Sequence, residues 1–263
     1  MEQGSTARMP AHGHTSSALD VGQATDVGRV RDANEDALLS MARAGGDGEL
    51  LVAVADGMGG HKAGEVAAAL AIESLEKTLG TSDNNRDNLE TQLEQAVELA
   101  NRVIWQAAAD DIDKEGMGTT LVCALVSPSG ALTIANVGDS RAYLVRDPAA
   151  ELVTSDHTWV NQQVINRQIS EREARTSPYR NLLTRSLGNS PRVKVDVFTG
   201  RRLEPGEALV LVSDGVSGYL EAKDVAAILR ASATAQEAAE ELVNEAVNRG
   251  GADNATAVVV RRM

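Results

Sequence analysis

Five short runs, "LLVAVA" (50–55), "LVCALV" (121–126), "ALTIANV" (131–137), "ALVLV" (208–212) and "ATAVVVR" (255–261), are apolar at nearly every position instead of alternating. Strands with that pattern are covered on both faces. In "LVCALVSPSGALTIANVGDSRAYLV" the runs are joined by only a few residues, too few for the crossover helix that a parallel pair needs, so these strands pair antiparallel. Elsewhere the period changes to that of a helix. Leu89, Leu93, Val97, Ala100 and Ile104 recur every three or four positions; similar stripes run through Val66, Leu70, Leu75 and Leu79, and through Ala235, Ala238, Ala239, Leu242, Val243 and Ala246. Thr234 with Glu237 three residues later reads as a capping box opening the last of these helices. Helices cover one face of such a sheet economically, and a second sheet covers the other. The pattern therefore predicts an α+β fold, a four-layer αββα sandwich of two mainly antiparallel β-sheets flanked by helices.

Composition narrows what such a sandwich does. Residues 1–18, with His12 and His14, are small, polar and aperiodic, and read as a flexible N-terminal tail; residues 19–263 show no linker and no repeat, and read as a single domain. With two Trp, three Tyr and one Phe the core rests on Ala, Val, Leu and Ile, and stacking platforms for single-stranded nucleic acid are lacking. A net charge of −13 repels phosphate backbones, so nucleic acid is excluded as a partner. The single cysteine, Cys123, rules out a disulfide framework and reads as a small buried apolar residue. No run approaches the roughly 18 apolar residues of a membrane span, and the N-terminus lacks an apolar signal core; the expectation is a soluble cytoplasmic protein without a membrane partner.

The chemistry lies at the strand ends. Asp56 follows "LLVAVA", Asp214 follows "LVLVS", Asp139 follows "IANVG", and Asp253 precedes "NATAVVV". Singly, each is a common turn residue. Together, strands of one sandwich can bring them to the same edge, where clustered carboxylates repel unless a cation offsets them. A set with no His or Cys suits a hard divalent ion, Mg²⁺ or Mn²⁺. The glycines after Asp56 exceed what a turn needs and would let carbonyls and waters approach such ions. Rival motifs fail: there is no P-loop, no dinucleotide fingerprint, no G-x-S-x-G, no H-E-x-x-H and no cysteine-phosphatase loop.

In order, "TDVGRVRDANEDA", "VADGMGGHKAGE", "MGTTL", "ANVGDSRAYL", "SDHT", "LLTRSLG", "LVSDGVSG" and "GGADNATAVVV" resemble the bacterial branch of the metal-dependent Ser/Thr protein phosphatases, the PPM or type-2C family, over roughly residues 20–261. The resemblance implies the same αββα sandwich and two core Mn²⁺ or Mg²⁺ ions, with a weaker third. In it, Asp56 bridges the core ions, Asp214 and Asp253 complete the first, and the Gly57 carbonyl with Glu35 serves the second. Asp139, with Asp214, holds the third ion; Asp36 supports the ligands; Arg31 grips the substrate phosphate, as a bidentate guanidinium does. Where the eukaryotic branch has a histidine after the Asp-Gly pair this chain has Met58, and His61 is either the acid that protonates the leaving group or a helix cap. His157 reads as structural, and residues 155–190 include the flap beside the active site. The implied reaction is hydrolysis of phosphoserine and phosphothreonine monoesters on proteins by a metal-bridged hydroxide, without a phosphoenzyme. The enzyme would be a monomer that opposes a Ser/Thr kinase. Two alternatives stand beside it: a phosphatase of small phosphorylated metabolites, and a catalytically silent scaffold that binds phosphoproteins.

Overall fold

The computed structural model describes residues 18–44, 48–59, 63–80 and 88–263; His12, His14 and the candidate acid His61 lie outside the described residues. One sheet has the strand order β1 (Leu19–Asp26), β11 (Ala255–Arg262), β10 (Ala208–Val212), β7 (Arg141–Arg146) and β8 (Ala149–Leu152), antiparallel throughout. The other runs β2 (Asp36–Ala42), β3 (Leu50–Met58), β5 (Leu121–Val126), β6 (Ala131–Val137) and β9 (Asp196–Arg202), also antiparallel, with the short β4 (Gly118–Thr119) paired to the end of β3.

The uniformly apolar strands divide their side chains between two cores. Leu51, Ala53 and Ala55 of β3 pack with α1 (Ala63–Leu79) and α2 (Leu89–Asp110), whereas Leu50, Val52 and Val54 face the first sheet. In β5, Cys123 turns to the helices with Leu121 and Leu125, while Val122 and Ala124 enter the centre. The first sheet does the same: Val210, Val212 and Val259 meet α6 (Ala222–Ala231) and α7 (Ala235–Arg249), and Leu209, Leu211 and Val258 close the central layer. Period-2 geometry thus places one row of each strand under helices and the other between sheets. The expected four-layer αββα order is observed.

Two local expectations change. Asp56 and Gly57 are strand residues, because β3 continues past its apolar run to Met58, where β4 extends the pairing. At the start of α7 the Thr234 side chain accepts from Glu237 N, but Glu237 Oε2 accepts from Ala233 N, so half of the capping box forms. The segment 155–190, expected to include the flap, is closed at its base, where Thr158 bridges Leu183 and Thr184 N donates to the His157 carbonyl. It carries α3 (Trp159–Ile165) and α4 (Glu171–Thr176).

Candidate active site

Antiparallel pairing fixes where the acids fall. Asp36 opens β2 and lies directly opposite Asp56 in the β2–β3 register. Like charges facing each other across a ladder destabilise a sheet, so this pair breaks a rule that the rest of the fold obeys. Asp139 follows β6, Asp214 follows β10 at the start of the short α5 (Asp214–Ser217), and Asp253 precedes β11. Both sheets therefore contribute acids to one place, and their charges register on one another. Burial, then Asp36, Asp214, Asp139 and Asp253, push the Asp56 carboxyl well above the usual carboxylate range. Asp56 keeps some surface open to solvent, yet protein atoms surround its carboxylate closely enough for desolvation to lead. Burial raises Asp36 to about 7 and Asp139 to about 8, and it raises Asp214 too. Asp214 stands close enough to Asp56 for its charge to help raise the Asp56 carboxyl, as carboxylates crowded into one site do.

The surrounding backbone is pinned by residues whose role the sequence did not announce. Thr120 Oγ1 accepts from Asp56 N (3.1 Å), Thr119 Oγ1 donates to Asp56 O (2.9 Å), and Thr120 Oγ1 meets Ser140 Oγ (2.7 Å) beside Asp139. "MGTTL" is thus a clamp on Asp56. Asn254 does the same for the loop carrying Arg31 and Glu35: its Nδ2 donates to Val27 O and Ala33 O (2.9 Å each) and its Oδ1 accepts from Glu35 N (2.8 Å). Ser213 Oγ donates to Asp36 Oδ2 (2.8 Å) and accepts from Thr256 N (3.0 Å). His157 Nδ1 accepts from Gly138 N (2.9 Å) while the His157 backbone N–H donates to Gly138 O (2.9 Å), holding the turn before Asp139. Asn254, Ser213, Ser140 and His157 each stand one residue from an acid, a signal too common to single out, and Thr119 and Thr120 lack even that.

Arg31 reaches the cluster, its guanidinium pairing with Asp253 Oδ2 at 2.8 Å and its side chain 48 % exposed. Gly57 has a tighter reason for its identity than open access. A Cβ there would stand 2.1 Å from Gly64 O and 2.7 Å from Glu35 O, so two glycines allow β3, α1 and the Glu35 loop to touch.

The donor set fits a hard divalent cation. All candidate ligands are oxygens, and the buried Asp36 Oδ1 and Asp214 Oδ1 have no hydrogen-bond partner. Among the described residues no three acid, imidazole or thiol groups already form a ready cage. Asp36 and Asp253 instead hold Ser213 and Arg31, and the fit rests on donor chemistry and crowding.

Comparison with known proteins places the chain in a family. The model of the family described as protein phosphatase 2C matches residues 21–255. The serine/threonine phosphatase stp of Listeria innocua is 36 % identical over 245 residues, covering 90 % of this chain and 94 % of that protein. The solved Mycobacterium tuberculosis serine/threonine phosphatase PstP/Ppp superposes with a TM-score of 0.81 at 35 % identity, covering 93 % and 98 % of the two chains. A PstP catalytic domain solved in complex with two manganese ions gives 0.80 at 34 %, covering 94 % and 99 %. The chain belongs to the protein phosphatase 2C family, the metal-dependent serine/threonine phosphatases.

Proposed function

We propose that this protein removes phosphate from phosphoserine and phosphothreonine in proteins, using the acid cluster to hold Mn²⁺ or Mg²⁺. The observation that carries the reading is the meeting of Asp36, Asp56, Asp139, Asp214 and Asp253 from two sheets beside an accessible Arg31. Asp56, Asp214 and Asp253 would hold the core ions with the Gly57 carbonyl and Glu35, and Asp139 with Asp214 a third. Bound divalent ions would supply the charge that lets a water give up a proton to solvent near neutral pH and leaves hydroxide as the nucleophile toward phosphorus. Arg31 orients the phosphoryl oxygens and offsets their charge as the leaving oxygen departs. Asp36, held by Ser213, fixes the edge that carries Asp56. Water supplies the nucleophile in this reading, and hydrolysis proceeds without a phosphoenzyme. The enzyme acts as a cytoplasmic monomer, residues 19–263 forming one catalytic domain whose substrates are made by a Ser/Thr kinase. Rates on a phosphothreonine peptide and on a panel of sugar phosphates, with Mn²⁺ present, test this; faster turnover of the sugars would overturn the choice of substrate.

Two variants probe single roles. Arg31→Ala is expected to raise KM for the peptide with kcat less affected, because the phosphate grip serves ground and transition states alike; an unchanged KM would remove Arg31 from the site. Asp139→Asn keeps the shape of the strand-end turn but weakens a hard-ion ligand. It should retain wild-type thermal stability and lose most turnover, with the weakest Mn²⁺ binding event missing from a calorimetric titration. Full stoichiometry with wild-type kcat would leave Asp139 a turn residue only.

A further inference from the structure

The flap is a basic island on an acidic protein. Residues 155–190 carry Arg167, Arg172, Arg175, Arg180 and Arg185 against Asp156, Glu171 and Glu173, in a chain of net charge −13. A cleft of about 790 Å³ starts at Asp139, Asp214 and Asp253 and runs on between the flap and the segment after α5. That is more room than a phosphoryl group requires, and it gives a polypeptide bound at the acid cluster a path along the flap. Most charges along this path are cancelled within the protein. Arg141 forks onto Asp156 (2.9 and 2.7 Å), and Arg175 pairs with Glu221 across the cleft. Beyond the acid cluster two charged lining residues remain without an ion-pair partner among the described residues: Arg180, and Glu171 at the start of α4.

We infer that Arg180 is a specificity-determining residue that favours acidic side chains flanking the phosphoresidue, with Glu171 opposing it; the inference rests on the phosphoprotein reading above. An unpaired guanidinium has its donors free for a carboxylate or a second phosphoryl group, and low-dielectric cleft walls focus its field more than an open surface would. Because partly exposed ion pairs are weak, the effect is a bias and not an absolute requirement. The Arg180 side chain is exposed and joins no network among the described residues, so its replacement is expected to leave the fold intact.

The test is a ratio. Two phosphothreonine peptides, identical except for three Glu or three Lys on each side of the phosphoresidue, are compared by kcat/KM with wild type, Arg180→Glu, Arg180→Lys and Glu171→Gln, all in Mn²⁺. Within one variant the ratio does not depend on the active fraction. Arg180→Glu is expected to lower the acidic-to-basic ratio at least about fivefold, since reversal turns attraction into repulsion. Glu171→Gln should raise the ratio, and Arg180→Lys should stay near wild type. A wild-type ratio in Arg180→Glu, with both peptides hydrolysed, would overturn the role of Arg180 alone. Wild type that hydrolyses p-nitrophenyl phosphate but neither peptide would overturn the phosphoprotein reading and this inference with it.

Discussion

Asp56→Asn is expected to lower kcat on a phosphothreonine peptide at least about a hundredfold, in the range found when a major electrostatic stabiliser is deleted, while making the chelator-treated protein more stable. The substitution preserves size and the backbone bonds that Thr119 and Thr120 make to residue 56. What it removes is one charge from a cluster in which Asp36 lies directly opposite and the charges of Asp214 and Asp139 oppose it. The pH dependence has a definite sign. Asp36 and Asp139 have folded-state pKa values near 7 and 8, above those of an unfolded chain. The stability they confer is present at pH below the unfolded carboxylate range and is lost as pH rises through about 7 and 8. The metal-free wild type should therefore melt lower at pH 8.5 than at pH 5.5. Asp56→Asn should recover part of that loss, at about 2–4 °C for each kcal/mol of repulsion relieved. Retained turnover would reduce Asp56 to a strand residue, and metal-free Asp56→Asn melting below metal-free wild type at pH 8.5 would contradict the proposed repulsion.

Gly57→Ala should cost at least about 3 kcal/mol, the upper part of the range for overpacking, and with it most activity. Its Cβ would press on the Gly64 carbonyl and the Glu35 backbone, neither of which can swing aside as a flexible side chain would. To relieve the clash, the start of α1 or the Glu35 loop must move away from Asp56, and the loop carries Glu35 itself. A fall in melting temperature of about 6 °C or more is expected for a domain of this size. Wild-type stability and kcat in Gly57→Ala would show that the close approach is not required.

The layers were legible because strand and helix periods differ and both were long enough to count. The helix around Leu93 and Val97 and the strand at 121–126 fall where the spacing put them. Weaker elements were not. β1 and β2 alternate only partly, since each lies at a sheet edge, and α6 is a short amphipathic helix between polar segments. The four acids at strand ends were readable as a set, and the motif resemblance supplied Arg31, Glu35 and Asp36. The residues that hold them were not readable. Asn254 binds a loop about 220 positions earlier in the chain, and Thr120 binds Asp56 64 positions away. Such pairings follow from which strands become neighbours, information that local spacing does not contain. The glycines after Asp56 illustrate the same limit: their number exceeds what a turn needs, and the close approach of Gly57 to Gly64 and Glu35 supplies a reason.

The measurement that bears most directly on the carboxylate cluster as a metal-dependent catalytic centre is hydrolysis of p-nitrophenyl phosphate by extensively chelated, dialysed protein as Mn²⁺ is added back. Wild type is expected to have no activity in excess chelator, to regain it with added Mn²⁺, and to bind the ion in a calorimetric titration whose tight events are weakened by Asp56→Asn. Full activity in excess chelator after prolonged dialysis would contradict the account.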